Sequence, residues 1–522
     1  MLRRAWKPLT ASVAVAGPGY WYYSTRQTAG VETFELPVRQ QGQDGKPVKV
    51  MRTFPLLPKS VIETRLTEQA TFDTHYSSPD GRTWKSTTAR VASNDPIEDA
   101  HAHGLHPRLP GSTDQRMFFA VMDGHAGFHT SQLLSKILIP TVALELSQAA
   151  TPGSSVYERV KLALSFAALD PSKELTPDAT ARAVQKAFTD LDYEIISAPL
   201  KLLVTNVDQN SLRKGLIPDL SQNPASLPVM QPAMSGSCAI MAILDPASQD
   251  LHVACTGDAR AVAGYWEETA NGSGRWRVEV MSEDQTGRNP NELKRIQSEH
   301  PPSEADDVVR RGRILGGLEP SRAFGDARYK WPVPVQEALN KAFLVGNNIQ
   351  MRTPSQLLKT PPYVIATPVV THRKMTLSTA DGADPTKSLK SSLKFVVLAT
   401  DGLWDELSSK DVVSLVGGHL SGLKGTLSHD ELARRVPTTE GSMGVQGKED
   451  RGSDKSGSWA FVDDNISSHL IRNAFGGGDE SALRRKLSIP APLSRRYRDD
   501  VTVTVVYWED GPAKGEVTRA KL

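Results

Sequence analysis

Phe118-Phe119-Ala120-Val121-Met122-Asp123-Gly124-His125-Ala126-Gly127 joins an unbroken apolar run to an acid, a glycine and a histidine. The unbroken apolar run predicts a strand over residues 117–122, followed by a helix over 126–139. Asp123 then stands where the strand leaves the core, and Gly124 lets the backbone approach a ligand closely. The pattern recurs along the chain. Asp401 follows the apolar run 395–400, and Asp405 closes Asp401-Gly402-Leu403-Trp404-Asp405. Asp499 and Asp500 stand directly before the strand-like run 501–508. Glu98 and Asp99 end Asn94-Asp95-Pro96-Ile97-Glu98-Asp99, and Asp258 ends Cys255-Thr256-Gly257-Asp258.

A single Asp at a strand end is ordinarily a turn residue or a helix cap. Several carboxylates aimed from neighbouring strands into one cleft repel one another unless a cation neutralises them. Oxygen donors of this kind suit hard divalent ions such as Mg²⁺ or Mn²⁺, whose bound water can become a nucleophile.

The rest of the chain alternates strand and helix signals. A helix is predicted over 178–197, where Ala183, Ala187, Leu191 and Ile195 share one face. Short strands over 239–244, 251–255, 260–265 and 276–280 are joined by turns such as Asp245-Pro246-Ala247-Ser248, which favours an antiparallel meander. Short helices are expected over 291–298 and 410–416, and a strand over 363–367. Hairpin succession with helices in separate blocks indicates an α+β fold. The stretches 371–394 and 438–458 are polar and read as inserted loops. Residues 31–65 read as a linker or surface arm, 66–510 as the main domain and 511–522 as a tail.

Composition narrows the class. At 522 residues, 39% hydrophobic and 23% charged, the chain has the make-up of an ordinary globular protein. A net charge of +2, with both signs interspersed, gives no reason to expect nucleic acid as a partner. Its two cysteines, Cys238 and Cys255, sit in apolar runs and read as buried side chains.

Six blocks then acquire meaning from their order. They are the one around Asp123, Ser235-Gly236-Ser237-Cys238-Ala239, Thr256-Gly257-Asp258-Ala259-Arg260-Ala261, Ser321-Arg322-Ala323-Phe324-Gly325-Asp326, Leu398 to Asp405, and Arg498-Asp499-Asp500. The series, spread between Ala89 and Trp508, resembles the ordered motifs of type 2C metal-dependent protein serine/threonine phosphatases. The resemblance implies a four-layer α-β-β-α sandwich with two central antiparallel sheets and a binuclear metal site at one end. It implies that Asp123 bridges two Mg²⁺ or Mn²⁺ ions with the Gly124 carbonyl beside it. Asp401 and Asp499 then resemble ligands of one ion, and Asp99 reaches the other through water. Glu98 resembles a residue orienting those waters, while Asp258 and Asp405 resemble a third, weaker metal position. His125 resembles the general acid for the leaving oxygen.

Many members of that family place an arginine five residues before the Asp of the Glu-Asp pair. Here the position holds Asn94, with Arg90 four residues earlier; Asn94 is the first candidate for a phosphate anchor and Arg90 the second. Asn94, with Ser93 to Asp99 and Pro361-Pro362-Tyr363, resembles the pyruvate dehydrogenase phosphatase branch. That resemblance implies a phosphorylated protein substrate, the pyruvate dehydrogenase complex among the candidates.

Arg3, Arg4, Lys7 and Arg26 precede the first acidic residue, Glu32, in a segment rich in hydroxyl side chains. A basic, acid-free start predicts a mitochondrial presequence over 1–30 and a matrix location, with the inner membrane or intermembrane space as alternatives. A short membrane anchor is the other reading of 9–23, although Gly17-Pro18-Gly19 interrupts it and a span needs about 20 residues. The rival functional readings are a non-catalytic scaffold with the same fold and a phosphatase of a different mitochondrial substrate.

Overall fold

The computed structural model of the protein describes residues 32–41, 46–77, 82–108, 112–150, 174–208, 214–269, 274–377, 389–442 and 457–510. The expected presequence, the tail, and the middles of both expected insertions lie outside the described residues.

Two sheets form the centre. The larger has seven strands in the spatial order Thr438–Glu440, Gly274–Val280, Arg260–Thr269, Leu389–Ala399, Val501–Asp510, Arg82–Val91 and Thr71–Ser77. The smaller runs Val369–Lys374, Asp250–Thr256, Gly236–Asp245, Gln115–His125 and Ala100–Pro107, and Phe324–Gly325 pairs with Gly236–Asp245. Within these sheets the pairings are antiparallel, except that Thr438–Glu440 runs parallel to Gly274–Val280.

The apolar run 117–122 shows why the sheets stack. Met117, Phe119 and Val121 pack between the sheets against Ala261, Ala263, Val396 and Leu398. Their neighbours Phe118, Ala120 and Met122 face the helices His129–Ala150 and Pro177–Thr205 through Leu134, Leu138, Val184 and Phe188. Side chains alternate across a strand, so a strand covered on both faces must be apolar at every position. On the far side of the larger sheet, Ser409–Leu420 and Ile466–Phe475 pack Val412, Val416, Leu470 and Ile471 over Phe395 and Val397. The result is the four-layer sandwich that the resemblance implied.

Several expected boundaries shift. The helix expected over 126–139 begins at His129 and continues to Ala150. The strand expected over 363–367 is not one: Tyr363 and Val364 bury into a separate apolar cluster with Ile296, Val308 and Leu358. The edge strand lies further on, at Val369–Lys374, so one of the stretches read as an insertion starts inside the smaller sheet and ends inside the larger one at Leu389–Ala399. Thr438–Glu440 likewise begins the other stretch as a sheet strand. The expected arm contains a hairpin, Thr33–Gln41 with Pro47–Pro55, and a helix, Lys59–Thr67, whose Ile62 and Leu66 join the main core. Both cysteines are free and buried.

His469, in the outer helix Ile466–Phe475, is fully enclosed beside Phe461 and His419. Burial, reinforced by His419, pushes its pKa down to about 3 from an ordinary 6.5. The folded protein therefore holds it neutral, while the unfolded chain binds a proton below about pH 6.5. Its contribution to stability is full above that value and is lost as pH falls toward 3. Replacing His469 with Gln is expected to flatten the fall of the thermal midpoint between pH 6.5 and 4; curves parallel to wild type would refute this assignment.

Candidate active site

The antiparallel pairing decides where the acids go. Arg82–Val91, Gln115–His125, Asp250–Thr256 and Leu389–Ala399 end at the same edge of the sandwich where Ala100–Pro107, Gly236–Asp245, Arg260–Thr269 and Val501–Asp510 begin. Asp99, Asp123, Asp258, Asp401 and Asp499 stand at or beside those strand ends. The carboxylates of Asp123, Asp258 and Asp401 approach so that one ligand oxygen from each lies within 4.8 Å of the others. The Asp401 backbone N–H donates to Asp123 Oδ2 at 3.2 Å.

These three line a cavity of about 660 Å³ together with His125, Asp405, Asp499, Cys238, Asp326 and Arg495. Arg313, Gly317 to Pro320, Arg328, Tyr329 and Gln350 to Arg352 also line it. Asp99 lies behind the cavity, 1% exposed, with its Oδ2 accepting from Thr400 Oγ1 at 2.9 Å.

Electrostatics separates these acids from ordinary surface carboxylates. Burial, followed by repulsion from Asp401, Asp99 and Asp258, raises the Asp123 pKa well above the usual range. Asp99 is raised in the same way by burial and then by Asp500 and Asp499. Burial and Asp401 push Asp499 up to about 8. The fold thus assembles more negative charge than it neutralises. All the donors are oxygens, which fits hard divalent cations such as Mg²⁺ and Mn²⁺.

His125 is paired as well as placed. Its Nε2 lies 2.6 Å from Asp326 Oδ2. Burial alone would lower its pKa, but Asp326, Asp258 and Glu98 outweigh burial and raise it. Gly236 makes room for the pair, since a Cβ there would sit 2.1 Å from His125 Nε2 and 2.3 Å from Asp326 Oδ2. Asp326 is held by its backbone, whose N–H donates to Ser235 O at 2.9 Å. The preceding residue is pinned too, by Gly325 N–H donating to Asp192 Oδ1 at 2.9 Å.

Glu98 is fixed from two sides. Gly127 N–H donates to its Oε1 at 2.6 Å, and Asn94 Nδ2 donates to its Oε2 at 3.3 Å. A side chain on Gly124 would meet the Glu98 carbonyl at 2.0 Å, so the glycine lets these two segments touch. Asp500 accepts from the backbone N–H groups of Ser93, Asn94 and Glu98 at 2.5, 2.9 and 2.8 Å. It shapes the loop that carries Asn94 and Glu98.

Asn94 and Arg90, the two candidates for a phosphate anchor, are both engaged elsewhere. Asn94 Nδ2 donates to Asp500 Oδ2 at 2.9 Å and to Glu98, and Arg90 Nη1 reaches Asp99 O at 3.4 Å. Neither lines the cavity. The sequence motifs single out neither Arg495 nor the pairing role of Asp326. Arg495 stands four residues before Asp499, a spacing that could have flagged it, whereas nothing local links Asp326 to His125.

The family model for Protein phosphatase 2C matches residues 179–444. A protein phosphatase 2C homolog of Schizosaccharomyces pombe is 35% identical over 430 residues, covering 81% of this chain and 79% of that one. The protein named pyruvate dehydrogenase (acetyl-transferring)-phosphatase 1, mitochondrial, of Saccharomyces cerevisiae is 32% identical over 491 residues, 89% of this chain and 75% of its own. Its human namesake is 32% identical over 456 residues, 80% of this chain and 76% of its own. With identity of this order running through most of both sequences, the chain belongs to the protein phosphatase 2C family of metal-dependent protein serine/threonine phosphatases.

Proposed function

We propose that the carboxylate end of the sandwich is a two-ion hydrolytic centre for phosphoserine and phosphothreonine, acting on a mitochondrial phosphoprotein, with pyruvate dehydrogenase the first candidate. The observation that carries this reading is the approach of Asp123, Asp258 and Asp401 within 4.8 Å in an open cavity. Asp123, the Gly124 carbonyl, Asp401, Asp499 and Asp99 are the groups that would hold two Mg²⁺ or Mn²⁺ ions. Asp258 and Asp405 suit a third, weaker position. Bound divalent ions supply positive charge that lets these acids ionise together and that acidifies water toward a nucleophile near neutral pH.

The chain's own residues do the rest. Glu98, held by Gly127 and Asn94, presents a fixed carboxylate beside the site. His125, whose proton is favoured by the Asp326 carboxylate beside it, can give a proton to the departing seryl or threonyl oxygen. No nucleophilic cysteine is involved: burial, then Asp258 and Asp123, push the Cys238 thiol well above its ordinary value, so it stays protonated.

Support for the substrate and compartment comes from the names of the relatives and from the acid-free basic start of the chain.

Phosphate release from a phosphothreonine peptide is expected to need Mn²⁺ or Mg²⁺, to stop with EDTA, and to fall at least about a hundredfold in Asp123→Ala and Asp401→Ala. Activity that survives EDTA and both substitutions would reject the metal centre. For His125→Asn, kcat on the peptide is expected to drop about 10²- to 10⁴-fold, with a much smaller loss on p-nitrophenyl phosphate, whose leaving group needs no proton. Equal losses on both substrates would remove His125 as the acid. The full chain is expected to co-fractionate with matrix markers and to dephosphorylate pyruvate dehydrogenase faster than unrelated phosphoproteins; a cytosolic distribution, or no such preference, would refute that assignment.

A further inference from the structure

We propose that Arg495 is the cation that grips the phosphoryl group, in place of the Asn94 and Arg90 candidates; the proposal rests on the phosphatase reading of the site. The cavity carries a surplus of carboxylates on one side, so a dianionic phosphate needs a positive group among them as well as any bound ions. Asn94 cannot serve, because both N–H groups of its amide are engaged by Asp500 and Glu98. Arg90 lies in a strand, reaches Asp99 O, and is absent from the cavity lining. Of the three other lining arginines, Arg313 is paired with Glu319, Arg328 lies over the Tyr329 ring, and Arg352 acts on Tyr329.

Arg495 lines the acidic side and pairs through Nη1 with Asp499. Asp123 and Asp401 also act on its charge, so the guanidinium sits within the field of the acids that would hold the ions. Its side chain is 47% exposed, which leaves donors of the fork open to an incoming anion. The backbone that carries it is clamped on both sides. Ser494 Oγ donates to Ser93 O at 2.6 Å, Ser93 Oγ donates to Arg498 O at 2.7 Å, and Arg498 Nη1 donates to Ala92 O. These contacts tie the Arg495 segment to the loop that holds Asn94. A phosphate-binding arginine can therefore enter from the neighbouring segment without moving the site.

The test uses full-length wild type, Arg495→Ala and Arg495→Lys, each loaded with Mn²⁺. Binding of inorganic phosphate is measured by calorimetry, with Mn²⁺ affinity and thermal midpoint measured alongside. Arg495→Ala is expected to weaken phosphate binding about ten- to a hundredfold, and to raise KM for a phosphothreonine peptide more than it lowers kcat. Arg495→Lys is expected to recover only part, because a point charge does not reproduce the planar fork. If the alanine chain does not fold, Arg495→Gln takes its place with the same expectation. Unchanged phosphate affinity in a folded, Mn²⁺-loaded variant overturns the proposal, and so does a change confined to Mn²⁺ affinity, which would make Arg495 a counter-charge for Asp499. Phosphate binding is read without turnover. A wild-type protein that binds phosphate through Arg495 but hydrolyses no phosphopeptide would support the anion contact while rejecting the phosphatase reading.

Discussion

The mutual repulsion of buried carboxylates is the constraint around which the molecule is arranged. Asp123, Asp258 and Asp401 stand within 4.8 Å of one another, with Asp99 and Asp499 acting on them electrostatically. Two like charges at that separation cost roughly 3–4 kcal/mol at an effective dielectric near 20, and each added acid adds to the cost. The stacked sheets oppose this by holding five strand ends in register through a core packed on both faces. Cations or protons would relieve that repulsion.

Other buried acids of the fold are held differently from the acids of this cluster. Burial alone would raise Glu292, yet Arg322 and Arg295 hold it down at about 2. Asp284 is gripped by Arg260 at 3.0 and 2.6 Å, and Asp192 by Lys330 at 2.7 Å. Each of these acids has a cation of its own and serves as a buried tie. Asp192 is nevertheless raised by its burial, while Asp99, Asp123 and Asp499 are raised by burial first and by neighbouring acids next. Two motif residues take part in ties of this kind. Arg260 and Arg322 belong to the family blocks, but their side chains reach Asp284 and Glu292 and are absent from the cavity lining. A motif residue can thus serve the scaffold behind a site as much as the site itself.

Asp500 illustrates how close the two roles lie in sequence. Asp499 lines the cavity, while the next residue turns away and accepts three backbone N–H groups from the Ser93 to Glu98 loop. Adjacent side chains in an extended segment point to opposite sides, so two neighbouring aspartates were bound to divide in this way. Which of them faces the cavity depends on the register of Val501–Asp510 against Arg82–Val91 and Leu389–Ala399.

The central strand, the helix beyond it, the meander after Gly236 and the acids at the strand ends are legible in the linear chain. Those features are set by side-chain period and turn chemistry, which are local and survive in a linear reading. Residues 363–367 were misread as a strand because an apolar run does not say which core it joins. Tertiary structure alone decided that His125 meets Asp326, that Asn94 and Arg90 are consumed by internal contacts, and that Arg495 faces the acids. Each of those outcomes depends on contacts between segments distant in the chain or on the direction of one side chain. No residue carries that information until the sheets have stacked.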